Sequence, residues 1–395
     1  MEEEGIVVLS LFDGMSCGQL ALQRLGVKVK AYYACEIDRY AMKVTQYNFP
    51  NTIQLGDVTK VKGSDLPEID LLIGGSPCQG FSFAGKQLAF DDPRSKLFFE
   101  FVRLKNECQP AYFLLENVKM KKEFEIIISK YMGVAPIEIN SALVSAQNRV
   151  RLYWTNIANE PYGLFGDVKC MIPQPKDKGI LLRDILESDV PDKYYLSEKM
   201  LKYVFDKNEA NIGKSGFNYN FGNPNKKSNT ILTRYGKDGK ECLVVASRGR
   251  DCALTHKRTD YGKAIRKIYE DGKFKVARKL IQHLEPRTDG KTNCLTSVQK
   301  DNLVLHQRGR GYNKGGKYIE KTPPLTSSSW EWNNTLAIRR LTPTECERLQ
   351  TVPDGYTSIV SDTQRYKMLG NGWTVDVITH ILFYLLKNDG TRADY

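Results

Sequence analysis

The 395-residue sequence contains no apolar run approaching the ~20 residues that a membrane-spanning helix requires. Its opening Met1-Glu2-Glu3-Glu4 has the wrong sign for a secretory or transit peptide, so a cytoplasmic location is expected. None of the nine cysteines lies at the close spacing of a zinc site, and their odd number and wide dispersal do not build a disulfide framework. No metal is therefore expected, and the thiols read as reduced and mostly buried. The glycine fingerprint G-x-G-x-x-G of nicotinamide dehydrogenases is also missing after the first apolar segment. What remains, 41% hydrophobic and 26% charged residues, is the balance of a folded chain with room for two or three domains.

Positive charge is in excess, and it is unevenly placed. Lys and Arg number 58 against 46 Asp and Glu, a formal net charge of +12. Residues 1–158 hold 18 basic and 18 acidic side chains, and residues 337–395 hold 7 and 7. Residues 159–336 hold 33 basic and 21 acidic side chains, so the whole excess lies in this middle segment. A neutral body interrupted by a polyanion-binding insert accounts for the pattern.

The first third alternates strand and helix signals. Gly5–Phe12 is a continuous apolar run, followed by Asp13-Gly14-Met15-Ser16-Cys17-Gly18 and a helical pattern through Leu20, Leu22 and Leu25. Val27–Cys35, Leu71–Ile73, Tyr112–Leu115 and Val150–Thr155 read as further strands, with helices expected over Leu97–Cys108 and Lys121–Tyr131. Repeated β-α units predict a doubly wound, Rossmann-like parallel sheet that binds its ligands at the strands' carboxyl ends. From about Pro161 the texture turns to Gly, Asn, Lys and short β-prone bursts, which predicts a smaller, irregular β-rich domain. That segment contains an imperfect repeat in which Arg248-Gly249-Arg250 and Arg308-Gly309-Arg310 precede Lys-Thr-containing stretches. It reads either as scaffold hairpins or as strands presenting Arg to phosphates and base edges. Leu341–Lys387 returns to helical texture and ends in an amphipathic helix, Val375–Leu386. The expected organisation is thus a catalytic domain over 1–158, a recognition domain over 159–336 and a returning segment over 337–395.

Three strand ends carry reactive groups. Gly74-Gly75-Ser76-Pro77-Cys78-Gln79-Gly80-Phe81-Ser82 follows Asp70–Ile73 and sets a cysteine among glycines, where a buried small hydrophobe is the ordinary alternative. Glu116-Asn117-Val118 ends another strand, and a carboxyl there must be paired or held neutral. Alternation along Gln147-Asn148-Arg149-Val150-Arg151 would set Gln147, Arg149 and Arg151 on one face of a third. Glu36, about 20 residues beyond the first glycines, is positioned for ribose hydroxyls. Asp57 reads as an acceptor for an amino group or as a helix cap.

In this order and spacing the motifs resemble the C5-cytosine DNA methyltransferase family, over nearly the whole chain. Phe12-Asp13-Gly14 looks like the family's first S-adenosylmethionine motif, Glu36 its ribose-binding acid and Asp57 its adenine contact. Pro77-Cys78-Gln79 matches the catalytic Pro-Cys-Gln, Glu116-Asn117-Val118 the Glu-Asn-Val motif, and Gln147-x-Arg149-x-Arg151 the Gln-x-Arg-x-Arg motif. Asp92-Pro93-Arg94 with Leu97 resembles the segment after the catalytic loop. Arg340-Leu341-Thr342-Pro343-x-Glu345 resembles the motif after the recognition segment, and Gly370-Asn371 the last cofactor motif. Two stretches depart from the family pattern: Ser16 and Cys17 stand where a closer second glycine is usual, and Gly370-Asn371-Gly372-Trp373 stands where Gly-Asn-Ser/Ala-Val is usual.

The resemblance implies transfer of a methyl group from S-adenosylmethionine, leaving S-adenosylhomocysteine, to C5 of a cytosine flipped from duplex DNA. It implies Cys78 as the nucleophile at C6 and Glu116 as the acid at N3, with Arg151 at the O2 edge and Arg149 orienting the glutamate. Phe12, Asp13, Gly14, Glu36, Ile37, Asp57, Val58, Pro77, Leu97 and Asn371 would hold the cofactor. Gln79, Ser82, Arg248, Arg250, Arg308 and Arg310 would meet the nucleic acid. A monomer from a bacterial or phage-infected cell, of restriction-modification type, is expected. A tRNA cytosine methyltransferase and a non-catalytic DNA-binding regulator remain alternatives.

Overall fold

The computed structural model describes residues 5–77, 96–162, 167–210, 219–247, 254–258, 282–286, 307–310, 313–316 and 336–388. The apolar run near the start forms strand β1 (Ile6–Leu11), whose Val8, Leu9 and Leu11 are fully buried. A strand apolar on both faces belongs in the middle of a covered sheet, and β1 lies there, between β2 (Val29–Cys35) and β4 (Leu71–Gly75). Short β3 (Ile53–Gln54) flanks β2, and β5 (Tyr112–Val118) flanks β4. With β6 (Ile137–Asn140) and β7 (Val150–Thr155) these make one seven-stranded sheet of order β3-β2-β1-β4-β5-β7-β6. Helices α1 (Cys17–Arg24), α2 (Arg39–Asn48), α3 (Lys96–Cys108) and α4 (Lys122–Met132) provide the crossovers. Asp38 caps the start of α2 by accepting from the Tyr40 N–H at 2.9 Å, and Gly133 ends α4 at φ 77°.

One expectation about the sheet needs correction. Val150–Thr155 is a strand, but it runs antiparallel to both β5 and β6. The segment 141–149 between β6 and β7 is shorter than the roughly dozen residues a parallel crossover needs, so the chain turns straight back. The sheet is mixed, with β7 as its one reversed strand.

The main core lies where α3 and α4 cover one face of the sheet. Leu9, Leu72, Phe98, Phe101, Leu104, Leu115, Ile128 and Trp154 pack there. The helix Val375–Asn388 packs against α1 and buries Val375, Val377, Ile378, Ile381 and Leu382. Of the cysteines among the described residues, Cys17, Cys35, Cys170, Cys242 and Cys346 are buried and Cys108 is partly so. No helix among the described residues is long and apolar enough to cross a membrane.

The chain divides into two compact units: Met1–Glu187, Asn223–Asp238 and Thr342–Tyr395 form one, and Ser188–Gly222 with Gly239–Leu341 the other. The first unit therefore extends beyond the residue 158 expected from composition. The Lys178 N–H donates to the Leu143 carbonyl (2.8 Å), while Ser228 and Ala146 are joined by a 2.7 Å backbone bond. These bonds attach polar, Gly- and Lys-rich chain to the sheet domain, so its loop-like composition does not mark a boundary. Among the described residues the second unit contains the helix Glu198–Ala210 and three two-stranded antiparallel pairs, beginning with Leu243–Ser247 against Leu336–Arg340. Its small core gathers Val204, Tyr219 and Leu243. The sequence pattern also predicts a helical piece near Ala264–Tyr269 and a short strand at Asn302–Leu305, and both lie outside the described residues.

The motif Thr342-Pro343-x-Glu345 is a complete capping box for the helix Pro343–Leu349. The Glu345 N–H donates to the Thr342 hydroxyl at 3.1 Å, and the Thr342 N–H donates to Glu345 Oε2 at 2.7 Å. One turn on, the fully buried Glu347 accepts from the backbone N–H groups of Gly355 (2.7 Å) and Thr357 (2.8 Å) and from Arg365 (2.9 Å). Glu347→Ala removes one partner of a buried ion pair and is expected to lower stability by about 3 kcal/mol or more in denaturant unfolding. A loss under about 1 kcal/mol would show that this ion pair does not hold the C-terminal segment together.

Candidate active site

The carboxyl ends of β1 and β2 form the first half of the site. The chain leaving β1 turns through three left-handed residues, Phe12 (φ 58°), Gly14 (φ 60°) and Ser16 (φ 59°). A Cβ at Gly14 would meet nothing within 4 Å, so the loop there faces open space. Between them Asp13 points inward and accepts from Ser10 (2.6 Å), Tyr32 (2.8 Å) and Ser16. Burial raises the Asp13 pKa to about 6 despite these three donors. Glu36, just past β2, binds the two loops together: its Oε2 accepts from the Gly14 N–H at 2.8 Å, and its Oε1 from the N–H groups of Ile37 (2.8 Å) and Asp38 (2.7 Å). Beside it Ile37 is 78% exposed, a bare apolar side chain next to a carboxylate.

The remaining residues expected here are placed differently. Asp57 caps the short helix Val58–Lys60, accepting from the Thr59 N–H (3.0 Å) and hydroxyl (2.8 Å), which hold its pKa below the usual carboxylate value. Val58 is buried in the main core, so its side chain does not face a ligand, and Leu97 packs against the same core. Asn371 is exposed at the end of the helix Asp362–Asn371, which Lys367 ties to Asp38 at 2.6 Å. Apolar Ile37 with carboxylates at Glu36 and Asp57 suits a ligand bearing a diol and an amino group.

The second half lies at the ends of β4, β5 and β7. Cys78, Gln79 and Ser82 fall outside the described residues, but the chain leading to them is described as far as Pro77. In register with Gly75 on β4 and Tyr153 on β7 stands Glu116, 8% exposed. Its Oε1 accepts from Arg151 Nε at 2.9 Å, and its Oε2 from the indole Nε1–H of Trp373 at 3.0 Å. Gly75 makes room for both: a Cβ there would stand 2.8 Å from Trp373 Nε1 and 2.9 Å from Glu116 Oε2. Next to Glu116, buried Asn117 donates to the Ser76 hydroxyl at 3.0 Å, which anchors the turn just before Pro77-Cys78.

Arg151, not Arg149, makes the direct pair with Glu116. The Arg149 guanidinium is buried and donates to the backbone carbonyls of Gly372 (2.9 Å), Gly370 (3.2 Å) and Ile231 (3.4 Å). Nor do Gln147, Arg149 and Arg151 share a strand face, because β7 begins only at Val150 and Gln147 forms an isolated bridge with Ser228. Sequence reasoning missed Trp373 as a site residue. The signal available for it was the departure of Gly372-Trp373 from the family pattern.

The other described cysteines at this edge are poor nucleophiles. Burial pushes Cys17 and Cys35 up to about 12. In the second unit Arg308 and Arg310 lie on the strand Gln307–Arg310, paired with Asn313–Gly316, whereas Arg248 and Arg250 lie outside the described residues.

Residues 6–387 match the family model of the C-5 cytosine-specific DNA methylases. Among curated proteins, the type II methyltransferase M1.ScrFI of Lactococcus lactis subsp. cremoris is 36% identical over 251 residues, spanning 60% of this chain and 63% of that protein. The orphan methyltransferase M.SPRI of Bacillus phage SPR is 30% identical over 447 residues, spanning 96% of this chain and 97% of its own length. Among solved structures, a mutant of Spodoptera frugiperda DNMT2 superposes with a TM-score of 0.57 at 20% identity, covering 96% of this chain and 99% of that one. The Entamoeba histolytica methyltransferase EhMeth gives 0.59 at 15% identity, covering 98% and 99%.

The raised Asp13 pKa fixes the sign of a pH effect. Between about pH 4 and 6 the unfolded chain has lost this proton while the folded protein keeps it, so the favourable contribution present at low pH disappears as pH rises. Relative to an Asp13→Asn variant, the wild type should lose up to about 3 kcal/mol of stability over that window. Denaturant unfolding at several pH values measures this, and a pH-independent difference would contradict the burial of the ionised group.

Proposed function

The chain belongs to the C-5 cytosine-specific DNA methylases, and on that premise we propose that it methylates C5 of a flipped cytosine in duplex DNA through a covalent bond from Cys78. The observation that carries this reading is the buried Glu116 carboxylate, held by Arg151 and Trp373 at the strand end beside the turn into Pro77-Cys78.

C5 of cytosine is too weak a nucleophile to attack an alkylating agent unaided. In the proposed reaction the Cys78 thiolate adds to C6, and the ring electrons displaced by that bond collect at N3 and C5. Glu116, protonated once the base is bound beside it, passes that proton to N3 as the charge develops, leaving C5 as the nucleophilic enamine carbon. S-adenosylmethionine supplies an electrophilic methyl group. Loss of the C5 proton to a base then drives the electrons back and expels the Cys78 thiolate, while the N3 proton returns to Glu116. Glu36 would take the ribose hydroxyls, Asp57 the adenine amino group, and Ile37 an adenine face. The loops around Phe12-Asp13-Gly14 and Asn371, with Pro77, would close the same pocket.

None of this can happen inside a stacked helix, so the cytosine must leave the duplex. We assign the basic second unit, including Arg308 and Arg310 and the neighbouring Arg248 and Arg250, to phosphate and base contacts, and Gln79 and Ser82 to the opened site. Binding of this kind weakens steeply as salt rises. The bacterial and phage relatives support a role in DNA modification inside such cells.

The test is a covalent trap. Duplex DNA bearing 5-fluorocytosine at the target position blocks loss of the C5 substituent, so protein and DNA should remain joined after denaturation when S-adenosylmethionine is present. Cys78→Ser should abolish the adduct, and Glu116→Gln should slow its formation by roughly 100-fold. An adduct that survives Cys78→Ser, or one that forms on tRNA and not on duplex DNA, would contradict the proposal.

A further inference from the structure

We propose that Trp373 is a positioning residue for Glu116, and that Arg149 acts on the same carboxylate at one remove by fixing the loop that carries Trp373. This rests on Glu116 being the acid of the reaction.

A carboxylate held by one donor can still swing about its last torsion, because that torsion has broad, shallow wells. Two donors on different oxygens fix its plane. Arg151 Nε takes Oε1 at 2.9 Å from β7, and Trp373 Nε1 takes Oε2 at 3.0 Å from the turn before the helix Val375–Asn388. The first donor is charged and the second neutral. Each oxygen keeps a free lone-pair position, at which the carboxyl can carry the proton that passes to N3.

The indole is seated by two glycines, Gly75 at the end of β4 and Gly18 in the first turn of α1. A Cβ at Gly75 would reach within 2.8 Å of Nε1, and one at Gly18 within 3.5 Å of Cζ3. Its backbone is fixed by Arg149, whose Nη2 donates to the carbonyls on both sides of Asn371, at Gly370 (3.2 Å) and Gly372 (2.9 Å). Gly370 itself lies so close to the chain at Leu232 and Thr233 that a Cβ would fall 2.5 Å from that backbone. The carbonyl of Ile231, one residue earlier, accepts from the same guanidinium at 3.4 Å. The links thus run from Arg149 to the Gly370–Gly372 loop, to Trp373 and to Glu116, while Arg151 closes the other side. Both arginines of one motif converge on one carboxylate, one directly and one through a loop distant in sequence.

The experiment uses the full chain, S-adenosylmethionine and a duplex carrying 5-fluorocytosine at the methylated position. The variants are Trp373→Phe, replacement of Trp373 by 3-benzothienylalanine (which keeps the bicyclic shape but has sulfur in place of N–H), Arg149→Lys, and each combined with Glu116→Gln. Loss of the indole donor should slow single-turnover adduct formation roughly 10-fold, with cofactor and DNA affinities changed by less than about 2-fold. In the Glu116→Gln background the same replacements should cost less than about 2-fold, because the group they position has already been altered. A purely structural role predicts equal losses in both backgrounds. That result, or an unchanged rate with benzothienylalanine at position 373, overturns the inference while leaving the proposed reaction standing. Absence of any adduct with the wild type overturns both.

Discussion

The Glu116 carboxylate closes the end of a buried strand, where an ionised group is costly unless donors are supplied from nearby. Both donors come from outside β5 itself. Arg151 arrives because β7 runs antiparallel beside β5, with Arg151 opposite Val118 and Tyr153 opposite Glu116. That register makes Arg151 the diagonal neighbour of Glu116 on the same face. Trp373 arrives because the chain returns to the first unit after Leu341 and ends in a helix packed against α1. The reversed strand and the long return of the chain thus serve the same carboxylate.

The same economy governs the opposite edge. Glu36 holds the Gly14 amide and two of its own loop amides, so one carboxylate shapes the turn after β1 and the turn after β2 together. Asp13 is buried behind that turn among three hydroxyl donors.

The sequence was legible where a local pattern has a single structural outcome. A run such as Ile6–Leu11, apolar at every position but Ser10, fits a covered central strand, and the apolar stretches Leu71–Ile73 and Tyr112–Leu115 follow the same logic. The segregation of basic residues into 159–336 pointed to a separate unit, though composition misplaced its edge because 159–187 and 223–238 are loop-like segments held to the sheet by backbone bonds. Strand direction was not legible: β7 reads the same forwards and backwards, and only the brevity of 141–149 decides it. The alternation counted from Gln147 did not carry over because the strand starts only at Val150, and nothing in that pattern says which arginine meets Glu116. Trp373 stood out only as a departure from the family pattern, and nothing local could tie it to a partner 257 positions away.

Nucleotide-resolution methylation mapping of DNA from cells expressing the wild type and Glu116→Gln tests the central claim most directly. The account predicts 5-methylcytosine at one recurring duplex sequence in the first sample, with that mark reduced to near background in the second. Methylation on an exocyclic nitrogen, or an undiminished 5-methylcytosine pattern without the carboxyl group, would contradict it.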